Sequence, residues 1–190
     1  MKVKRTAIVL VFSLASSILA IGVTALDPRP VQAAGGGYVE RCGGGEIFLN
    51  EQEKSVLALQ NQVRAEHDLQ PLCVQPRLED AARAHSQEML DKGYAAHESF
   101  NGETVKHRLK RFGYGFSGYS YYAYGENIAW GSGSQGSPES VFGFWMNSSP
   151  HRSNILSEKF RQVGIGARTG TFQDYGESTT YTVDFGVRRR

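Results

Sequence analysis

The sequence predicts an α+β fold in which helices come first and strands come late. Three observations carry that reading. Apolar residues fall at helical spacing over 50–68 and again over 77–92, two Ser-Pro pairs mark helix starts at 137–138 and 149–150, and strand-like segments gather in the last thirty or so residues. Elements grouped in this way argue against a parallel doubly wound sheet, in which strands and helices alternate.

Residues 1–33 precede the fold. Lys2, Lys4 and Arg5 stand before an apolar run from Ala7 to about Val23, and small residues follow in Val23-Thr24-Ala25 and Val31-Gln32-Ala33. A basic start, an apolar stretch and an A-x-A-like end describe a secretory signal peptide, cleaved near 25 or near 33. A run of roughly 20 residues is also long enough to cross a bilayer, so an uncleaved amino-terminal anchor with the domain outside is the alternative. No other segment is apolar enough to span, and the expected location is extracellular.

The signal segment holds four of the 21 basic side chains and one of the 19 acidic ones, so the remainder carries a net charge of −1. Nothing in that balance recommends nucleic acid or an anionic membrane as a partner. Arg188-Arg189-Arg190 is the one basic run and reads as a solvated tail. About 155 residues remain, enough for one domain with a sizeable core, expected as a monomer. Cys42 and Cys73 are the only cysteines, and outside the cytoplasm they are expected to pair. Closing a 31-residue loop contributes about 3.7 kcal/mol on the chain-entropy account.

The elements follow in order. Residues 34–49, with Gly35-Gly36-Gly37 and Gly43-Gly44-Gly45 around Cys42, read as an irregular lead-in to a domain over 50–190. Helix 50–68 turns Val56, Leu59, Val63 and His67 inward and ends before Pro71, which disfavours helical backbone in the preceding residue. Helix 77–92 buries Leu78, Ala81, Ala82, His85 and Met89 and stops at Gly93. A third helix, 103–112, faces inward with Val105, Leu109 and Phe112. Segment 113–125, with glycines and aromatic rings interleaved, reads as a loop with a short extended piece whose rings either cover a sheet edge or meet sugar or lipid.

Ser137 caps a helix that begins at Pro138 and presents Val141, Phe144 and Trp145 on one face. Ser149-Pro150 repeats the device and puts His151 in a first turn, where the helix dipole favours a neutral imidazole. Residues 163–167 and 179–187 are strands, the second half-buried by its alternation. Gly131-x-Gly133-x-x-Gly136 fits a dinucleotide fingerprint only formally, for it opens no βαβ unit and reads as a linker. His67, His85 and His107 read as packing or surface residues.

The chemistry gathers in three stretches: His97-Glu98-Ser99, Gly125-Glu126-Asn127, and Ser149 to Leu156. His97, Glu126 and His151 lie too far apart for one helix or turn and meet only through tertiary structure. Two imidazoles and a carboxylate suit zinc, with a fourth place left for water or substrate. The same three suit a buried Glu–His hydrogen-bond network equally well. Ser99, Asn127 and Arg152 are expected to support the cleft.

These stretches, with Asn61-Gln62-Val63-Arg64, Trp145-Met146-Asn147 and Val163-Gly164-Ile165-Gly166, resemble the CAP superfamily of cysteine-rich secretory proteins, antigen 5 and plant pathogenesis-related proteins. The likeness covers about 52–185 and is closest to the bacterial secreted members. It implies an α-β-α sandwich with a central antiparallel sheet and a cleft in which two His and two Glu of many relatives meet, sometimes around zinc. His97, Glu126 and His151 match three of those four, but no carboxylate stands near Ser148, the place of the fourth. Two functions remain open. One is a non-catalytic binding module for a lipid, a cell-wall fragment or a protein, using the cleft and the Tyr-rich loop. The other is a hydrolase using the same residues with metal or as acid and base.

Overall fold

The computed structural model describes residues 35–190; the expected signal peptide lies outside them. Its elements are β1 (Gly37–Glu40), β2 (Glu46–Leu49), α1 (Glu51–Glu66), β3 (Cys73–Val74), α2 (Pro76–Lys92), α3 (Val105–Arg111), β4 (Tyr121–Ser132), a 3-10 turn (Gly133–Gly136), α4 (Pro138–Asn147), α5 (Ser149–Ile155), β5 (Gln162–Phe172) and β6 (Tyr175–Arg189). A four-stranded sheet in the order β3-β5-β6-β4 is antiparallel except where β3 joins β5. Helices cover both of its faces, which is the expected α-β-α sandwich. No described helix is long and apolar enough to cross a membrane.

The lead-in is not irregular. Residues 37–49 form an antiparallel hairpin, turned by Gly43, Gly44 and Gly45 at φ of 83°, 91° and 81°, values that glycine adopts freely. The Cys42–Cys73 disulfide and the Arg41–Val74 bridge fasten it to β3. Asn50 then starts α1 with a reciprocal capping box: its side chain accepts from the Glu53 amide at 2.8 Å, and Glu53 accepts from the Asn50 amide at 3.0 Å. The stripe that α1 buries is Glu53, Val56, Gln60 and Arg64, more polar than the expected Val56, Leu59, Val63 and His67. His67 is exposed.

The polarity has a purpose, because β3 covers only the start of β5. Beyond it the open edge of β5 is closed by side chains: Glu79 accepts from the Ile165 amide at 2.7 Å, Glu53 from the Ala167 amide at 3.4 Å, and Asn50 donates to the Ala167 carbonyl at 3.1 Å. Arg83 and Arg168 balance Glu53 at 2.5 and 3.1 Å. Arg64, fully buried, donates to the carbonyls of Ile155, Ser157 and Phe160 at 2.7, 3.0 and 3.2 Å, which anchors the end of α5.

β6 is buried on both faces from Ser178 to Val187, where alternation led us to expect one wet face. Tyr181, Val183, Phe185 and Val187 join Trp145, Val141 and Val56 in the larger core. On the other face, Thr180 donates to the Ser86 carbonyl at 2.8 Å and Thr182 accepts from Ser86 Oγ at 2.9 Å, both to α2. That helix lies against the sheet backbone itself. A Cβ on Gly164 would fall on Leu78 and Glu79, and one on Gly166 on Ala82 and Arg83, in each case well inside 3.0 Å of helix backbone. Segment 113–125 is a loop up to Ser120 and extended beyond it, and that extended piece is the start of β4, which begins at Tyr121 and pairs with β6 throughout. Arg188 and Arg189 belong to that ladder, so the basic run is not a solvated tail.

Two outcomes follow. Gly164→Ala or Gly166→Ala is expected to cost about 3 kcal/mol in denaturant unfolding, at the upper end for an overpacked core, because helix backbone must move. Burial and the neighbouring Glu53 carboxylate push Glu79 up to about 8. Its raised folded value means that stability falls as pH rises from the ordinary carboxyl range toward 8. Melting temperatures measured from pH 5 to about 8 should decline less steeply in Glu79→Gln.

Candidate functional site

β4 is the second edge of the sheet, and the site is built around it. Glu126 stands directly opposite Asp184 of β6, so both side chains project on the α2 side. Asn127, one residue on, projects to the α5 side. There its Nδ2 donates to the His151 carbonyl at 3.0 Å, and its Oδ1 accepts from Asn154 Nδ2 at 2.9 Å. Asn154 also donates to the Glu126 carbonyl at 3.2 Å, and Trp145 Nε1 donates to the Ile128 carbonyl at 3.0 Å. These two side chains close the β4 edge as Glu79 and Glu53 close that of β5.

His97 and Glu126 meet as expected: His97 Nδ1 lies 2.8 Å from Glu126 Oε1. The other oxygen, Oε2, is paired with the Arg108 guanidinium, a residue that sequence reasoning passed over. Arg108 is buried and also donates to the His97 carbonyl at 3.0 Å and to Ser99 Oγ at 3.2 Å. His85, expected as ordinary packing, lies beneath this loop and bonds the Ala96 carbonyl at 2.9 Å. Two buried side chains therefore fix the backbone that carries His97. A sequence signal existed for Arg108, since it falls three residues after Val105 on the inward face of α3.

Asp184 is the second residue missed, hidden in an alternation that read as a solvent face. It is completely buried, and neither carboxyl oxygen meets a donor. Burial and the adjacent Glu126 carboxylate raise it well above the ordinary range, which favours its neutral form. The buried charges then reduce to one carboxylate and one guanidinium.

His151 approaches from the other side of β4. It lies in the first turn of α5, though Ser148 rather than Ser149 precedes that helix and no side chain caps it. Its Nδ1 is buried without a partner. Burial, and then the charge of His97 across the edge, hold it below the ordinary imidazole value. His97 is shifted the opposite way, chiefly by its hydrogen bond to Glu126. His151 forms no hydrogen bond to Glu126, so the trio does not close into one network. Arg152, expected to support the cleft, is exposed and makes no side-chain hydrogen bond to these residues. Ser99 is buried in a tight turn, and Asn127 is fully buried.

Next to His151 opens a cleft of about 360 Å³, walled by Ala95, Ile128, Trp130, Val141 and Phe144 and crossing the β4 edge. Phe144, expected on one helix face with Val141 and Trp145, is 57% exposed at its rim while those two are buried, with its ring 5.5 Å from that of His151. The residues present do not make a preformed zinc centre. Both Glu126 oxygens are engaged, and among the described residues no three His, Cys, Asp or Glu are arranged to hold a metal ion.

This sandwich, with the His–Glu pair at one sheet edge and a histidine across it, is that of the CAP proteins. The model of the cysteine-rich secretory protein family matches residues 57–185, and the chain belongs to that family. It is 42% identical over 118 residues to the Bacillus subtilis protein YkwD, a match covering 62% of this chain and 43% of that protein. The chain thus spans less than half the length of this curated relative. An extracellular protein containing a SCP domain from Bacillus anthracis superposes with a TM-score of 0.58 at 26% identity, over 77% of this chain and 47% of that one. An outer surface protein of Borrelia burgdorferi shares the fold at a TM-score of 0.58 and 19% identity, over 81% and 99%.

Two measurements probe the cluster. Arg108→Met strands a buried carboxylate and should cost about 3–5 kcal/mol in unfolding free energy, whereas Asp184→Asn keeps a neutral side chain of the same shape and should cost no more than about 1 kcal/mol. In an NMR titration His97 should ionise above the ordinary imidazole value and His151 below it, with His97 moving down in Glu126→Gln. By linkage, the His97 contribution to stability is present at acid pH and lost as pH rises through its folded value, while that of His151 is lost as pH falls.

Proposed function

We propose that the chain is an extracellular binding module whose ligand occupies the apolar cleft beside His151. The observation that carries this is the lining of the cleft, mainly apolar through Ile128, Val141 and Phe144, with the polar side chains of Gln135, Ser140 and His151 beside it. The His151 Nδ1 is buried without a partner, which costs about 1–3 kcal/mol that a ligand group reaching it would recover. A ligand with an apolar body and one hydrogen-bonding head fits such a site, which favours a lipid among the three ligand classes expected. The outer-surface and extracellular character of two proteins of this fold supports a location outside the cell.

The hydrolase reading has less support. Glu126 is held between His97 and Arg108, and Ser99 is buried with its hydroxyl bonded to Arg108. Ser149, the other serine near the motifs, sits on the exposed first turn of α5. Among the described residues neither Ser99 nor Ser149 is hydrogen-bonded to a histidine or a carboxylate.

Titration with a fluorescent fatty acid and a fluorescent sterol tests the reading. At least one should bind, and Phe144→Ala or His151→Ala should weaken it about tenfold while melting temperature changes little. Absence of any binding, or affinity indifferent to both substitutions, would sink it. A zinc-dependent rise in melting temperature that disappears in both His97→Ala and His151→Ala would favour the metal-dependent alternative instead.

A further inference from the structure

The near-zero net charge conceals an uneven distribution. From Thr104 to Gly125 and from Phe185 to Arg190 the chain has no acidic residue, and the two stretches hold Lys106, Arg108, Lys110, Arg111, Arg188, Arg189 and Arg190. The fold brings them together. Tyr122 stands opposite Arg188 in the β4–β6 ladder, on the same face as Tyr124, and Lys106 reaches from α3 to the Tyr122 hydroxyl at 3.1 Å; the next pair, Tyr121 and Arg189, projects to the other face and is not part of this surface. Arg108 is paired with Glu126 and Arg111 with Glu103. The other five cations have no ion-pair partner among the described residues.

Four of those five lie against aromatic rings instead. Lys106 sits 5.3 Å from the Tyr122 centroid and 5.8 Å from that of Phe116. Arg188 lies between Tyr114 and Tyr119 at 3.9 and 4.8 Å, Arg189 over Tyr121 at 5.4 Å and Arg190 over Tyr119 at 5.9 Å. A ring orients a cation without neutralising it, so the positive charge remains available to an outside anion. The ring faces are also occupied from within, since Phe116 packs 4.6 Å from Tyr122 and 5.6 Å from Tyr124. What reaches solvent on this face is cationic heads, ring edges and phenol hydroxyls, with Tyr122 and Tyr124 both partly exposed.

We infer that this surface binds an extended acidic polysaccharide, with sugar carboxylates on the cations and sugar hydroxyls on the phenols. A single-stranded nucleic acid would want open ring faces on which bases stack, and here Phe116 packs against the Tyr122 and Tyr124 rings while cations lie over those of Tyr119 and Tyr122. The inference extends the binding-module reading to a second surface, and none of the cleft residues takes part in it.

The test is calorimetric titration of the full chain with polygalacturonate at about 50 and about 200 mM salt, with neutral dextran, oligo-dT and phosphatidylserine vesicles run in parallel. Polygalacturonate should bind and dextran should not. Lys106→Gln with Arg190→Gln should weaken binding at least tenfold and flatten its salt dependence. Tyr122→Phe with Tyr124→Phe should weaken it severalfold with the salt dependence retained, and Phe144→Ala should leave it intact, which separates this surface from the cleft. No binding at the lower salt, charge variants equal to the parent, or tighter binding of oligo-dT or vesicles would overturn the inference.

Discussion

A four-stranded sheet has two edges, and each presents backbone donors and acceptors that must be satisfied once helices bury them. This fold closes both with side chains. On β5 the closure comes from Glu79, Glu53 and Asn50, and on β4 from Asn154 and Trp145. Much that is unusual in the interior follows from this requirement. α1 buries a polar stripe because it supplies edge caps, and Arg83 and Arg168 sit where they do because Glu53 has been drawn out of water.

The site is the β4 side of the same constraint. Asn154 and Asn127 bind α5 to the strand, which sets His151 on one side, while Arg108 and His85 hold the loop that sets His97 on the other. Glu126 is the joint between them and is held too firmly by Arg108 and His97 to be read as a free ligand or base. The family pattern of His and Glu is therefore compatible with a scaffold. On the proposed reading the polar cluster gives a wall its shape, and recognition would fall to the apolar cleft beside it.

Local chemistry was legible in the sequence. Asn50, Ser137-Pro138 and Gly93 bound helices where their capping preferences say they should, and α3 and α5 fall within a few residues of expectation. Elements defined by distant partners were harder. β4 opens with glycine, alanine and tyrosine in place of aliphatic residues, so nothing local distinguishes it from a loop until β6 is laid beside it. Thr180, Thr182 and Asp184 looked like a wet face because small polar residues suit both solvent and a helix pressed close to a sheet. The His97, Glu126 and His151 motifs were legible as a set. Arg108 was signalled only by its place on the inward face of a short basic helix, and Asp184 was hidden in that misleading alternation.

The cleft has one wall on each side of the sheet edge. Ala95 belongs to the loop that follows α2, while Val141, Phe144 and His151 belong to α4 and α5, and between them runs β4 alone. A ligand in that space, as proposed, would touch both helical layers at this edge of the sheet. It would work like a shim between two plates, fixing their spacing here, so that a guest of the wrong thickness would be felt on both sides at once. Selectivity would then be a matter of gauge as much as of chemical complementarity.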